Sequence, residues 1–265
     1  MSGEGRPRKI RGSANYTALV FLFVTAAVLS SAASVEAQGS VTWEQTQGPS
    51  GGKVNVLLIS RSDPSTIYAG VDGGIYISRD SGGTWQCSSE GLPAGQAVWA
   101  LAMDPTASNV LYAGTYAGVY HSTDGGKVWS QADAGLTRKL VFSLAVNPTK
   151  PSVIYAGTDA WVFKSINGGE RWTVSSSGLP EGAIWSLLVD CATPDVLYAG
   201  SDRGVFKSVD GGQQWQHASD GMPDGLRVQD LVMDHHLPGV LYAGTEVGVY
   251  RSMDAAATWQ AAAKG

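Results

Sequence analysis

Beyond residue 40 the apolar positions fall in short runs, each closed by glycine, aspartate, asparagine or proline. One kind of run, such as VWALAMDP from Val98 or VFSLAVNP from Val141, is apolar on both faces. That is the signature of a strand sandwiched between neighbouring sheets. A second run carries the triplet Tyr-Ala-Gly, begun by Tyr68, Tyr112, Tyr155, Tyr198 and Tyr242. A third, such as GVYHSTD from Gly118 or GVFKSVD from Gly204, follows it, and a fourth short run starts at a tryptophan. No stretch after residue 40 sustains a 3.6-residue apolar period, so the pattern predicts strands and no helix.

These four runs recur as a unit. SRDSGGTW (Ser78 to Trp85), STDGGKVW (Ser122 to Trp129), SINGGERW (Ser165 to Trp172), SVDGGQQW (Ser208 to Trp215) and SMDAAATW (Ser252 to Trp259) stand in phase, their tryptophans 44, 43, 43 and 44 residues apart. A fixed period of this size marks a repeat architecture, and four strands per period is the size of a propeller blade. The expected fold is all-β: a β-propeller of four-stranded antiparallel blades, with repeats near 54–91, 97–135, 141–178, 184–221 and 228–265. Trp43 lies 42 residues before Trp85. It marks a surplus N-terminal outer strand over 40–46, expected at the seam of a five-bladed ring; a ring with a sixth or seventh blade is the alternative.

The recurring phrase spans the turn between the third and fourth strands. Asp80, Asp124, Asp210 and Asp254 are expected to accept backbone N–H bonds within that turn, and the glycines to supply positive-φ positions. Trp85, Trp129, Trp172, Trp215 and Trp259 then pack between sheets as core. Ser-x-Asp-x-Gly-x-x-Trp resembles the Asp-box, or BNR, repeat of β-propellers, shared by sialidases, xyloglucan-degrading glycoside hydrolases, the sortilin luminal domain and photosystem II assembly and stability factors. The resemblance covers roughly residues 40–265. Two copies depart from it: Asn167 replaces the aspartate of the third, and Ala255, Ala256 and Ala257 fill the fifth. A looser or differently bonded fifth turn is expected.

Residues 1–37 read as a secretory signal, with Arg6, Arg8, Lys9 and Arg11 before an apolar core from Ala18 to Ala33 and a small-residue site at Val35-Glu36-Ala37. The expected location is therefore secreted or periplasmic. An uncleaved anchor is the alternative, and membrane association is expected only in that case; the apolar run is short for a span. Without that segment the balance is 14 basic against 21 acidic residues, which argues against nucleic acid as a partner. Cys87 and Cys191 fall in non-adjacent blades, so a disulfide is not expected. Both read as small buried strand residues.

In the family it resembles, ligand sites lie on the face opposite the Asp-boxes. Aligned on Tyr-Ala-Gly, Asp72, Tyr116, Asp159, Asp202 and Glu246 share one turn on that face. Turn chemistry by itself favours acids there, so Tyr116 and Glu246 are the more informative members. Trp161 replaces the glycine of Gly118, Gly204 and Gly248, and Arg203 stands beside Asp202. Trp99, Phe142 and Trp185 share one position near the start of the innermost strand, where the first and fifth blades have Asn55 and Gln229. They form either an aromatic arc round the mouth or packing between blades. The adjacent His235 and His236 would point to opposite faces of a strand. No metal site, cofactor motif, phosphate loop or nucleophile elbow is evident.

Two functional readings follow. A glycosidase needs a pair of carboxylates, or a tyrosine nucleophile in sialidases, and the acidic ring offers a pair. The Arg-Ile-Pro motif of sialidases is missing, and the xyloglucan hydrolases use two larger propellers. A non-catalytic scaffold that binds a protein or glycan fits the short loops better.

Overall fold

The computed structural model describes residues 48–50, 52–237 and 239–262. The segments 1–37 and 40–46 lie outside the described residues. Five four-stranded antiparallel blades follow one another round a ring and form a five-blade β-propeller, with no helix among the described residues.

The first blade is β1 (Val54–Ile59), β2 (Ile67–Val71), β3 (Gly74–Ser78) and β4 (Gln86–Cys87). The second is β5 (Val98–Met103), β6 (Leu111–Thr115), β7 (Gly118–Ser122) and β8 (Ser130–Gln131). The third is β9 (Val141–Val146), β10 (Ile154–Thr158), β11 (Val162–Ser165) and β12 (Thr173–Val174). The fourth is β13 (Ile184–Val189), β14 (Leu197–Ser201), β15 (Gly204–Ser208) and β16 (Gln216–His217). The fifth is β17 (Val228–Met233), β18 (Leu241–Thr245), β19 (Gly248–Ser252) and β20 (Gln260–Ala261). Within each blade the strands lie in sequence order, innermost to outermost. The outer strands are only two residues long and exposed, and such short edges blunt a surface that could template aggregation.

Between successive blades lie four apolar cores. Each takes the Tyr-Ala-Gly tyrosine of one blade and the tryptophan of the next blade's recurring phrase, called the Asp-box only after the repeat it resembles, such as Tyr112 with Trp172 or Tyr155 with Trp215. The middle strand runs through these cores, and its triplet glycine lets the next blade approach. A Cβ on Gly70 would stand 2.6 Å from Val56 Cγ1 and 2.8 Å from Val98 Cγ1, distances no side chain tolerates.

The Asp-box turn is a compact hydrogen-bond unit. In the second blade Ser122 Oγ donates to Asp124 Oδ1 (2.7 Å) and accepts the Gly126 N–H (2.9 Å), while Asp124 Oδ1 accepts from Lys127 and Val128 N–H. The serine, a role the sequence reading did not assign, is buried and satisfies a backbone donor that water cannot reach. Asn167 does the aspartate's work in the third blade, its Oδ1 accepting from Ser165 Oγ and Arg171 N. An acceptor oxygen is required there, not a charge.

The fifth turn does not loosen. Asp254 Oδ1 accepts from Ser252 Oγ and Thr258 N, both at 2.8 Å, and Ala256 N donates to Ser252 Oγ. Ala255 and Ala256 adopt φ of 57° and 66° to keep the turn's shape, as Ser81 does at 59° in the first. The side-chain acceptor dictates the loop, and the backbone accepts left-handed strain of about 1–2 kcal/mol per residue to follow it.

The cysteines also differ from expectation. Cys87 and Cys191 are both exposed and free. Cys87 sits on an outer strand whose residues face solvent in every blade, and Cys191 lies beyond the end of β13.

Candidate functional site

The mouth opposite the Asp-box turns is shaped by one irregularity repeated five times. Each innermost strand slips register near its start, and the residue left out of the pairing is Asn55, Trp99, Phe142, Trp185 or Gln229. A bulge of this kind re-aims a side chain out of the pleat. The three aromatic members therefore meet. Trp99 and Phe142 stand edge to face at 6.2 Å, and Phe142 stacks on Trp185 at 4.6 Å with the rings 27° apart. Tyr116, 44% exposed at its turn, joins from the second blade with its ring 5.6 Å from Trp99. A cation closes each end: Lys53 Nζ lies 5.6 Å over the Trp99 ring and the Arg227 guanidinium 5.2 Å over Trp185. Such contacts contribute about 0.5–2 kcal/mol each, depending on exposure.

The acids are tied into this frame. Trp185 Nε1 donates to Asp202 Oδ1 (2.8 Å), and Arg227 Nε donates to the same oxygen (2.8 Å). Asn55 Nδ2 donates to Asp72 Oδ1 at 2.9 Å, the same link from the same position in the first blade. Asp159 has Arg138 at 3.8 Å, and Arg138 also reaches Glu181 at 3.3 Å. So Trp99, Tyr116, Phe142, Trp185, Asp202 and Arg227 form one connected row. Asp72 and Asp159 stand beside it with partners of their own. Arg203 and Glu246 are exposed at their turns and make no side-chain hydrogen bond or ion pair among the described residues.

Trp161 is placed differently. It is half-buried and packs against the core between the second and third blades. Its N–H donates to Thr158 Oγ1 (3.0 Å), so the third hairpin closes without the positive-φ glycine used elsewhere. Lys53, Arg138 and Arg227 are the contributors that sequence reasoning missed. Lys53 and Arg227 each stand immediately before an innermost strand, Lys53 ahead of β1 and Arg227 ahead of β17, and Arg138 sits in the connection between the second and third blades; the residue type varies at these positions, so no repeated letter flags them.

One titrating group stands out below the rim. Burial pushes the Asp230 carboxyl up to about 6, against the pull of hydrogen bonds from Ser186 Oγ and Leu231 N. By contrast, hydrogen bonds from the Thr84 N–H, the Thr84 hydroxyl and Ser78 hold the Asp-box Asp80 near 2. Thr258 and Ser252 do the same for Asp254.

Two shallow depressions lie between outer parts of adjacent blades, one beside Lys207, Asp210 and His217 and another beside Lys164 and Ser177. Among the described residues no grouping of three or more His, Cys, Asp or Glu side chains is placed to hold a metal ion. No described helix is long and apolar enough to cross a membrane.

The fold and its rim define a repeat β-propeller with an aromatic mouth. No protein-family profile and no curated sequence matches the chain. Solved structures do. An ancestral GH74 enzyme aligns at a TM-score of 0.69 with 24% identity, over 84% of this chain and 33% of that one. The GH74 xyloglucanase of Xanthomonas campestris aligns at 0.60 with 19% identity, over 84% of this chain and 47% of that one. An extracellular domain assigned to a hybrid two-component system of B. thetaiotaomicron aligns at 0.65 with 19% identity, over 80% and 28%. The chain thus spans from about a quarter to about half the length of these neighbours, and the likeness is one of fold.

Proposed function

We propose that the protein is a secreted or periplasmic, non-catalytic propeller scaffold that binds a protein partner at the mouth opposite its Asp-boxes. The observation that carries this is the cation-capped aromatic row from Tyr116 through Trp99 and Phe142 to Trp185. Its rings spend their faces on one another and on Lys53 and Arg227. A sugar stacks on an open ring face, whereas a protein surface is met by ring edges, a tyrosine hydroxyl and paired charges. Aromatic side chains and arginine are the groups enriched where protein interfaces hold most of their energy.

The second reading is a glycoside hydrolase working through Asp159 and Asp202. It draws support from the likeness to GH74 structures, which is a likeness of fold. Against it, Asp202 Oδ1 is held by both the Trp185 indole N–H and the Arg227 guanidinium, so that oxygen is engaged within the rim rather than presented to a substrate.

A glycan array, a 4-methylumbelliferyl glycoside panel and affinity capture from the native extracytoplasmic fraction separate the readings. The scaffold reading expects a blank array, no fluorophore release, and proteins held by wild type but not by Trp185→Ala or Arg227→Ala variants that still unfold cooperatively above the assay temperature. Release of 4-methylumbelliferone that Asp202→Asn abolishes would overturn it, and so would a defined glycan hit lost in Trp185→Ala.

A further inference from the structure

One recurring bond of the Asp-box turn closes over a labile dipeptide. In all five turns the N–H that follows the acceptor residue donates to a backbone carbonyl in the loop between the first and second strands of the same blade: Ser81 to Ser65, Gly125 to Asn109, Gly168 to Ser152, Gly211 to Asp195 and Ala255 to Gly239, at 2.8–2.9 Å. In the third blade alone the acceptor residue is an asparagine, so that N–H belongs to Asn167-Gly168, the only Asn-Gly pair in the chain. Such a pair is prone to lose its side-chain amide, because glycine has no Cβ to keep its nitrogen away from the asparagine Cγ. Asn167 is exposed to the water that the reaction consumes.

The closed turn engages both reacting groups elsewhere. The Gly168 N–H is held by the Ser152 carbonyl at 2.9 Å. Asn167 Oδ1 accepts from Ser165 Oγ (2.9 Å) and Arg171 N (3.0 Å), which fixes the side chain within the turn. The buried Ser165 hydroxyl also accepts the Gly169 N–H (2.9 Å), so the residues on both sides of Gly168 are anchored. The amide nitrogen has a use of its own: Asn167 Nδ2 donates to Glu170 Oε2 at 3.5 Å. Gly83, Lys127, Gln213 and Ala257 occupy the place of Glu170 in the other four turns. The one turn with an acid there is thus also the one whose acceptor is uncharged. An aspartate at 167 would set two carboxylates side by side.

We propose that Asn167-Gly168 is a deamidation site gated by its own Asp-box turn: the closed turn keeps the amide, and opening of the turn releases it. Once the bond from Gly168 to Ser152 is broken, the Gly168 nitrogen attacks Asn167 Cγ. The N–Cγ bond forms, the Cγ–Nδ2 bond breaks, and the amide leaves as ammonia, carrying the proton that Gly168 gave up. Water then opens the cyclic imide. Attack at Cγ leaves an ordinary aspartate at 167, whereas attack at the main-chain carbonyl leaves an isoaspartate whose chain runs through Cγ. The first keeps the acceptor of the turn but faces Glu170. The second lengthens the main chain by one carbon, so the acceptor no longer matches Ser165 and Arg171. Either product adds one negative charge, and the third blade then carries a lasting record of having opened. The inference is independent of what binds at the mouth.

Mass spectrometry of the full-length chain tests it, since trypsin cuts after Lys164 and Arg171 and frees residues 165–171 as one peptide. Folded protein and protein in guanidinium chloride are held at the same mildly alkaline pH, and a gain of about 1 Da in that peptide is followed. The folded rate is the unfolded rate scaled by the fraction of molecules with the turn open, so the gain is expected at least about tenfold slower in the folded chain. Ser165→Ala, checked for a cooperative melt, is expected to speed the folded gain and leave the unfolded one unchanged. Glu170→Gln is expected to raise the melting temperature of Asn167→Asp but not that of wild type, an outcome that does not depend on Ser165→Ala folding. Four results would overturn the proposal: equal folded and unfolded rates, no gain in the unfolded chain, a folded Ser165→Ala no faster than wild type, or Glu170→Gln acting alike in both backgrounds.

Discussion

The Asp-box turns and the opposite mouth are built by the same five blades, yet they use their residues in opposite ways. On the Asp-box side the repeats converge. Serine, an acceptor oxygen and tryptophan recur, and where the letters change, as at Asn167 or Ala255, the hydrogen bonds stay. At the mouth the backbone recurs, with a bulge in every innermost strand, while the side chain it presents changes from Asn55 to Trp99, Phe142, Trp185 and Gln229. Sameness across repeats therefore reports what the fold needs, and difference on a constant backbone reports where the molecule is free to specialise.

Substitutions can break this contrast in decreasing order of effect. Trp172→Ala removes a side chain that is 2% exposed, fills one interblade core and bonds the preceding blade. It should cost about 3–5 kcal/mol, read as a lowered urea midpoint. Asp230→Asn comes next. With its carboxyl raised to about 6, Asp230 burdens the folded state only where it is charged, so wild-type stability should fall as pH rises from about 4 to about 6. At roughly 1.4 kcal/mol per pKa unit the fall is on the order of 2–3 kcal/mol, and thermal melts of Asp230→Asn should lose it. The acid limb has another origin. Asp80 and Asp254 are held near 2, and their contribution disappears as pH drops from about 4 towards 2, unchanged in that variant.

Ser165→Ala leaves the Gly169 N–H buried without its acceptor at 2.9 Å. A loss of about 1–3 kcal/mol is expected in chemical denaturation, whereas Ser165→Thr, which keeps the hydroxyl, should recover part of it. The smallest effect has the opposite sign. Ala255→Gly relieves a left-handed alanine at φ 57° and should raise stability by about 0.5–1 kcal/mol, a shift of a few degrees in the melting temperature.

The blade was legible in the sequence because its determinants are local and repeated. A turn acceptor, a positive-φ pair and a buried tryptophan recur in phase, so each repeat restates the rule. Trp129, Trp172, Trp215 and Trp259 could be placed this way, whereas Trp85, expected as core, is only partly buried and joins none of the four cores among the described residues. The mouth was only half legible. Asp72, Tyr116, Asp159 and Asp202 could be set on one rim by alignment, but which of them meet depends on bulges, and no pattern of apolar and polar residues announces a bulge. The cations that cap the aromatic row, Lys53 and Arg227, stand just ahead of innermost strands at positions where the residue type varies. The exposed cysteines were misread for a related reason: burial in a propeller follows strand position, and Cys87 lies on the outermost strand. Trp161 shows the limit of alignment most sharply, since it occupies a glycine's place and packs, half-buried, against the core between the second and third blades.

The division of labour between the two faces rests on two tryptophans in adjacent blades, Trp172 beneath the Asp-box and Trp185 at the mouth. Urea unfolding of Trp172→Ala and Trp185→Ala, measured side by side at one pH, tests it most directly. The account predicts a loss of about 3–5 kcal/mol for Trp172→Ala and below about 2 kcal/mol for the half-buried Trp185→Ala. Equal losses, or a larger one at Trp185, would contradict it.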